Sequence, residues 1–226
     1  MIKKMMVKKK LSKKRFSKND RKGNKFSLSE GYKKSFSYIK DSKDFIYSAI
    51  LLFFIFGVIG LFFQDLVNLF FSSVLGIPLN EKIFDFIQKL WEQTQGKSHF
   101  DLISYIFLNN LQGSFIGLML GIFLGIPTLI ATVLNGYLLG FVAFFSIQES
   151  GVFVLWRLLP HGVFELPAIF ISLGLGFRLG LFPFINKKSD SFFESVIESL
   201  RVFLFVILPL LVIAAIIEGT LIFLGS

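Results

Sequence analysis

The sequence predicts an all-α integral membrane protein: a five-transmembrane-helix bundle with one interfacial amphipathic helix and a disordered basic N-terminal tail. Hydrophobic residues make up 54% of the 226 residues. They lie in long blocks and do not alternate with polar residues as on a soluble helix. Five blocks reach the ~20 residues that a helix needs to cross a bilayer core. The predicted spans are residues 45–63, 103–125, 128–147, 152–176 and 202–224.

Residues 1–43 form a lysine-rich tail. Up to and including Asp44 the chain has sixteen Lys or Arg and four Asp or Glu, whereas the remainder is slightly acidic. The low apolar content predicts a mostly disordered segment, with allowance for some helix next to the membrane. Such a tail sets the orientation of the first span, and it can bind anionic lipid headgroups. Nucleic acid is the less favoured partner.

The positions of the basic residues predict how the chain crosses the membrane. Cytoplasmic loops of membrane proteins are rich in Lys and Arg. If the tail is cytoplasmic, Lys187 and Lys188 between spans four and five are also cytoplasmic. We therefore expect a multi-pass protein of the plasma membrane with its N-terminus in the cytoplasm and its C-terminus outside. Cysteine is absent, which excludes disulfides, thiolate metal sites and cysteine nucleophiles.

About forty mildly acidic residues separate spans one and two. Apolar residues recur there with the i, i+3, i+4, i+7, i+8 spacing of one helix face, while charged residues fall elsewhere. The apolar positions are Ile83, Phe86, Ile87, Leu90 and Trp91. This pattern predicts an amphipathic helix that lies in the outer interface of the bilayer. His99, which follows it, is expected to be a lone exposed histidine.

Four glycines recur at intervals of four in the second predicted span. They are Gly113, Gly117, Gly121 and Gly125. Glycines in this register form a flat groove on one helix face, against which another backbone packs closely. The groove predicts either a tightly packed helix pair within the chain or the seam of a dimer. We expect a homodimer on this basis.

The fourth predicted span contains ionisable residues and prolines in an otherwise apolar segment. Arg157, His161 and Glu165 recur every four residues and so lie on one side of the helix. A charge at the centre of a bilayer costs at least about 2.5–3.5 kcal/mol, so that side is expected to face a polar interior. Pro160 and Pro167 bend the helix or open its hydrogen-bond ladder, which favours a wet cavity.

Buried polar residues of several spans fall at similar depths when each residue is given a rise of ~1.5 Å. We expect an outer layer in which Arg157 pairs with Glu218, and a deeper layer in which His161, Glu165 and Asn135 share hydrogen bonds. Asn109 and Asn110 fall at the depth of the outer layer. The complete predicted cluster consists of Asn109, Asn110, Asn135, Arg157, His161, Glu165 and Glu218.

The chemistry of this cluster is open from the residues alone. His161 and Glu165 could form a proton relay, two metal ligands, an acid/base pair or a helix clamp. Two ligands do not make a zinc site, there is no HExxH motif, and a third ligand would have to be Glu218 or Asp101. No nucleophile is marked. We therefore expect no catalytic residue, no metal site and no cofactor.

The run LPHGVFELPA, residues 159–168, resembles the signature of the stage II sporulation protein M family. Asn109-Asn110, Asn135-Gly136 and the run AAIIEG, residues 214–219, are similar to further features of that family. The resemblance covers residue 45 to the C-terminus and implies a five-span membrane domain; the basic tail is not part of it. It also implies, for the namesake protein, a membrane anchor that recruits peptidoglycan-degrading partners. It implies no catalytic residues.

We predict from these observations a non-enzymatic membrane scaffold or assembly platform with unidentified protein partners, whose buried polar cluster holds the bundle together. The alternative is a channel or transporter with a cavity lined by the cluster, because the ionisable groups outnumber those of one structural pair. An intramembrane metal-dependent hydrolase is a weaker alternative.

Overall fold

A computed structural model of the chain describes residues 27–153, 155, 159–184 and 191–225, with side chains except at 159–161 and 225. These residues form helices, and none of them lies in a β-strand. The α-helices are α1 (Leu28–Asp41), α2 (Lys43–Phe62), α3 (Gln64–Leu75), α4 (Leu79–Thr94), α5 (His99–Met119), α6 (Ile126–Ser150), α7 (Leu159–Gly180), α8 (Phe192–Val202) and α9 (Leu208–Gly225).

Five helical stretches of the described chain are long enough and apolar enough to cross a membrane. They are α2, α5 with the 3₁₀ turn that follows it, α6, the described part of α7, and α8–α9 taken together. Half of the most apolar window of α7 is buried inside the protein, compared with 22% for α2. Helix α7 is therefore the central helix, and the other spans direct most of their apolar side chains outward.

The packing of α7 against its neighbours defines the bundle. Helix α7 contacts α2, α5 and α9, and α2 packs most extensively against α6. Phe53 lies beside Gly136, and Gly57 lies beside Gly140, so α2 and α6 run in the same direction. Ile46 contacts Gly174, whereas Phe53 packs on Phe170 with ring centroids 5.1 Å apart. Helix α2 therefore runs antiparallel to α7.

Glycine lets the α2 and α6 backbones touch. A Cβ at Gly140 would overlap the carbonyl oxygen of Gly57, and a Cβ at Gly136 would overlap that of Phe53. On the α2 side, a Cβ at Gly60 would overlap the carbonyl oxygen of Tyr137. Small residues permit this close approach, which gives membrane helices their van der Waals contact.

The glycine groove of the second span packs against α7 of the same chain. Leu173 lies at Gly117, and the backbone of Gly176 lies at Gly121. Gly125 approaches Gly180, whereas a Cβ at Gly113 would have no neighbour within 4 Å among the described residues. The groove is therefore filled within the chain at three of its four glycines, and a homodimer would need another surface.

The second span ends earlier than the sequence predicts. The α-helix stops at Met119 and a 3₁₀ turn covers Leu120–Ile122, so the last two glycines of the groove do not continue the α-helix. Gly125 has φ +72° and caps the start of α6. Glycine adopts this left-handed backbone conformation without a steric penalty. The conformation lets the chain reverse direction in a short hairpin.

The ends of spans four and five differ from those predicted. Residues 152, 153 and 155 are not part of α7, which begins at Leu159 and continues to Gly180 instead of ending at residue 176. Helix α8 begins at Phe192, inside the predicted loop, where Ser191 and Glu194 form a capping box. A π-helical turn, Phe203–Ile207, joins it to α9 just before Pro209. Proline has no N–H to donate, which accounts for the altered ladder at this point.

Part of the segment expected to be a disordered tail is folded. Helix α1 buries Gly31, Ser35 and Tyr38, which recur at intervals of three or four, and it packs against α8 and the π-helical turn. The Tyr38 hydroxyl donates a hydrogen bond to the carbonyl oxygen of Ser195 at 3.1 Å. Low overall hydrophobicity did not reveal this narrow buried face, because only one side of α1 contributes to it. Residues 1–26 lie outside the described part of the chain.

Helices α3 and α4 form a hairpin between α2 and α5. The backbone N–H of Asn80 donates to Asn68 Oδ1 at 3.0 Å and joins the two helices. Phe84 packs on Phe141 and Phe145 of α6, with ring centroids 5.3 Å and 4.6 Å apart. The predicted amphipathic segment is thus helical, and it contacts α6 through Phe84. Its placement in the bilayer interface stays a prediction.

Replacing Ser98 by alanine should destabilise the start of α5. The Ser98 hydroxyl accepts a hydrogen bond from the backbone N–H of Asp101 at 3.2 Å. Loss of such a cap costs ~1 kcal/mol. Unfolding of Ser98→Ala in detergent should show this loss, while Ser73→Ala, at an exposed serine of α3, should not. Equal effects of the two substitutions would contradict the assignment of the cap.

Candidate functional site: a polar cavity between α5, α6 and α7

A small polar cavity lies where α5, α6 and α7 meet. Its volume is about 130 Å³. The lining residues are Asn109, Asn110, Gly113, Ser114, Ala131, Asn135, Glu165, Ile169 and Leu173. Four polar residues of the predicted cluster thus surround one space, although they come from three helices and are up to 56 positions apart, from Asn109 to Glu165.

Hydroxyl groups hold the three helices in register around the cavity. The Thr128 hydroxyl donates to the carbonyl oxygen of Gly117 at 2.7 Å and ties α6 to α5. The Ser172 hydroxyl donates to the carbonyl oxygen of Ser114 and ties α7 to α5. Thr128, Ser172 and Ser114 are all buried. Since a hydrogen bond between membrane helices contributes about 0.6 kcal/mol on average, these bonds fix the register more than they add stability.

The sequence did not reveal the part that Ser114 and Ser172 play. The signal that could have found them is a hydroxyl close to a glycine within an apolar span: Ser114 follows Gly113, and Ser172 precedes Gly174 by two positions. Small residues and hydroxyl side chains are both enriched where membrane helices pack closely. Serine is common in apolar spans, however, so the pattern gains meaning only when the partner helix is known.

The polar atoms of the cavity are partly satisfied within the chain. Asn135 donates its side-chain N–H to the carbonyl oxygen of Ala131 at 2.7 Å, on its own helix. Asn135 and Asn109 are exposed, so the prediction that both are buried was wrong. The Ser114 side chain is 6% exposed, and its hydroxyl oxygen has no hydrogen-bond partner among the described residues. Buried hydroxyl groups normally bond to protein or to ordered water. A polar space of this size has room for a few water molecules.

The two predicted layers merge on one side of the bundle. Asn109 and Asn110, which the depth estimate puts in the outer layer, line the same cavity as Asn135 and Glu165. Spans that all began at the same height would place these two asparagines in the outer layer. Helix α5 instead begins at His99, four residues earlier than the predicted span, which lowers its asparagines relative to those of the other helices.

The remaining predicted residues lie elsewhere or are not described. Glu218 does not line the cavity; it is half-buried on α9. Arg157 lies outside the described residues, so its pairing with Glu218 stays a prediction. His161 belongs to α7, one turn before Glu165, but its side chain lies outside the described part.

His99 is not the lone exposed histidine that the sequence predicts. Its Nε2 atom lies 3.0 Å from the Thr220 hydroxyl oxygen, and its ring stacks on Phe223 with centroids 4.8 Å apart. The end of α9 lies beside the start of α5, because Gly219 lets α9 approach Ile103 closely. His99 is therefore half-buried in a contact between two helices.

The residues that line the cavity can form hydrogen bonds around one carboxyl group. Glu165 supplies the carboxyl, the three asparagines supply amide donors and acceptors, and Ser114 supplies a hydroxyl. Among the described residues there is no group of three or more His, Asp or Glu side chains placed to hold a metal ion. The arrangement suits ordered water and helix-to-helix hydrogen bonds.

Comparisons with known proteins agree with the sequence motifs. Residues 49–221 match the family model described as "Stage II sporulation protein M". A protein of Methanocaldococcus jannaschii, described as uncharacterized, is 32% identical over 207 residues, which cover 88% of each chain. No solved structure matches the chain. The cavity residues all lie within the matched segment, and the chain is a member of the stage II sporulation protein M family.

Proposed function

We propose that the protein is a non-enzymatic membrane scaffold whose polar cluster, half-buried at Asn110 and Glu165 and exposed at Asn109 and Asn135, holds the helical bundle together. The observation that carries this proposal is the cavity to which α5, α6 and α7 each contribute polar side chains. A polar group in an apolar interior is costly unless it is bonded. Polar side chains that share one small cavity therefore favour the arrangement of the helices in which these side chains can form hydrogen bonds.

The surfaces outside the bundle suit the recruitment of partners. Helices α1 and α8 pack together beside the start of α2, and Phe36 and Phe193 are 60% and 69% exposed on them. Aromatic residues on an exposed surface favour protein contacts. We propose that protein partners assemble on this platform, with the lysine-rich tail bound to anionic lipid headgroups nearby.

The proposal includes a plasma-membrane location with the N-terminus in the cytoplasm and the C-terminus outside. The concentration of Lys and Arg before Asp44 supports this orientation. A homodimer remains part of the proposal. The glycines that suggested it are mostly occupied within the chain, so its interface would have to lie on other outward-facing helix surfaces.

A channel or transporter is the second candidate, and the Ser114 hydroxyl favours it. That hydroxyl is buried at the cavity and has no partner among the described residues, so it suits a bound solute as well as a water molecule. Such a protein would place Glu165 on the solute pathway. The cavity of about 130 Å³ suits a small solute.

Measuring stability and flux together separates the two candidates. Wild type, Glu165→Gln and His161→Ala would be reconstituted in liposomes at equal density, and the passage of protons, water and small solutes would be recorded. If the protein is a scaffold, none of the three proteins moves a solute faster than empty liposomes do. Both variants should then unfold at a lower temperature than wild type. A flux that wild type supports and a normally folded Glu165→Gln loses would contradict the scaffold and establish the pathway.

A further inference from the structure

A large apolar groove runs between the α3–α4 hairpin and the spans α2 and α6. Its volume is about 950 Å³, at the upper end of the range of small-molecule sites, about 300–1,000 Å³. Residues from all four helices line it, among them Phe56 of α2, Phe70 of α3, Phe86 of α4 and Leu134 of α6. The hairpin thus leaves a space between itself and the two spans, and aliphatic and aromatic side chains line this space.

Three polar residues interrupt this apolar lining: Lys82, Asn135 and Tyr137. Asn135 already donates to the carbonyl oxygen of Ala131. The Tyr137 side chain is 7% exposed, and its hydroxyl has no hydrogen-bond partner among the described residues. Lys82 is exposed at the first turn of α4. A buried donor and an accessible cation therefore face a space that is otherwise apolar.

The described lining of the groove contains one charged residue, and the Asp65 carboxylate lies outside the lining but near the Tyr137 side chain. Lys82 is the charged residue of the lining, whereas Glu81 and Asp85, its neighbours on α4, are not part of the lining. A lysine ammonium group is a compact cation with three donors, and it binds phosphate as a point charge. The groove therefore combines a long apolar wall with a site for one anionic group.

We propose that this groove binds one membrane phospholipid, with an acyl chain along the apolar wall and the phosphate at Lys82. Acyl chains are the solvent around α2 and α6, so placing one in the groove gains little over leaving it in the bilayer. Specific retention must come from the polar contacts. This site differs from the lysine-rich tail in position and does not depend on the scaffold proposal.

The full chain, purified in a mild detergent, can be tested by native mass spectrometry with added phosphatidylglycerol. We expect one bound phospholipid per chain. A diacylglycerol with the same acyl chains lacks the phosphate and should not be retained. Replacing Lys82 by glutamine should weaken binding of phosphatidylglycerol about fivefold, the effect of one basic residue on an anionic headgroup. Lys89→Gln, on the same helix but outside the lining, is the matched control and should bind as wild type does.

A second pair of variants tests the apolar wall. Leu134→Trp fills the groove, whereas Leu139→Trp adds the same side chain to α6 at an exposed position outside the lining. We expect the first variant to lose the lipid and the second to keep it. Because Lys82 is exposed, its substitution remains informative even if Leu134→Trp fails to fold.

Three results would overturn the proposal. Equal retention of phosphatidylglycerol by Lys82→Gln and Lys89→Gln would remove Lys82 from the site. Equal retention of the diacylglycerol and the phospholipid by wild type would show that the groove does not recognise phosphate. The third result is a bound mass equal to that of a second copy of the chain or of a partner protein, present in wild type and absent in Leu134→Trp. Such a mass would identify another occupant of the groove.

Discussion

Gly140→Ala is expected to destroy the packing of α2 against α6. A Cβ at Gly140 would overlap the carbonyl oxygen of Gly57 and lie 2.8 Å from the backbone nitrogen of Leu61. Both are backbone atoms, so the clash is relieved only when the two helices separate. Overpacking of a tight core costs about 3 kcal/mol or more in such a case. Thermal unfolding in detergent, followed by circular dichroism, should show a much lower midpoint.

Gly113→Ala is the matched control for this substitution. Gly113 also lies within a spanning helix, but a Cβ there would meet no atom of the described part of the chain within 4 Å. Alanine is a better helix former than glycine by about 1 kcal/mol, so this variant should be as stable as wild type or slightly more stable. Similar destabilisation by the two substitutions would contradict the assignment of the close contact to Gly140.

Tyr38→Ala is expected to detach α1 and α8 from each other. The Tyr38 ring is 8% exposed, and the guanidinium carbon of Arg178 lies 4.0 Å from the ring centroid. The same guanidinium group donates to the Ser42 hydroxyl at 2.7 Å. The substitution removes the ring, its hydrogen bond to Ser195 and the cation–π contact together. Truncation of a buried aromatic residue costs about 3–5 kcal/mol.

Hydrogen exchange resolved by peptide should locate this loss. Exchange should become faster in α1 and α8 of Tyr38→Ala while the protected amides of α6 change little. Phe36→Ala provides the control, since Phe36 lies on the same helix and is 60% exposed. Unchanged exchange of α1 in Tyr38→Ala would show that Tyr38 does not hold this helix to the protein.

The helices that can cross a membrane were predictable because hydropathy depends on each segment alone. The ends of those helices were less predictable. The apolar residues from Val152 to Leu155 are as hydrophobic as a helix interior, yet the described ones precede α7. Hydropathy does not distinguish an apolar turn from an apolar helix. The extent and packing of helix α1 were not predictable for the opposite reason, since its buried face is small and its other faces are basic.

The candidate site was predictable in composition but not in arrangement. A glutamate and asparagines inside apolar segments are costly, which marked Glu165, Asn135 and Asn110 for a shared polar interior. Which of them meet depends on how far each helix slides along its neighbours. Contacts such as Gly121 with Gly176 set that register. These glycines are far apart in the sequence, and nothing in one segment indicates its partner in another.

A double-mutant cycle between Asn110 and Glu165 tests the central claim, that polar side chains from different helices hold the bundle together. The two residues lie on α5 and α7 and line the same cavity. Unfolding free energies would be measured in bicelles for wild type, Asn110→Leu, Glu165→Gln and the double variant. We predict a coupling energy of about 0.6–1.7 kcal/mol, the range measured between membrane helices. Additivity within about 0.3–0.5 kcal/mol would mean that the two residues act independently, and it would contradict the claim.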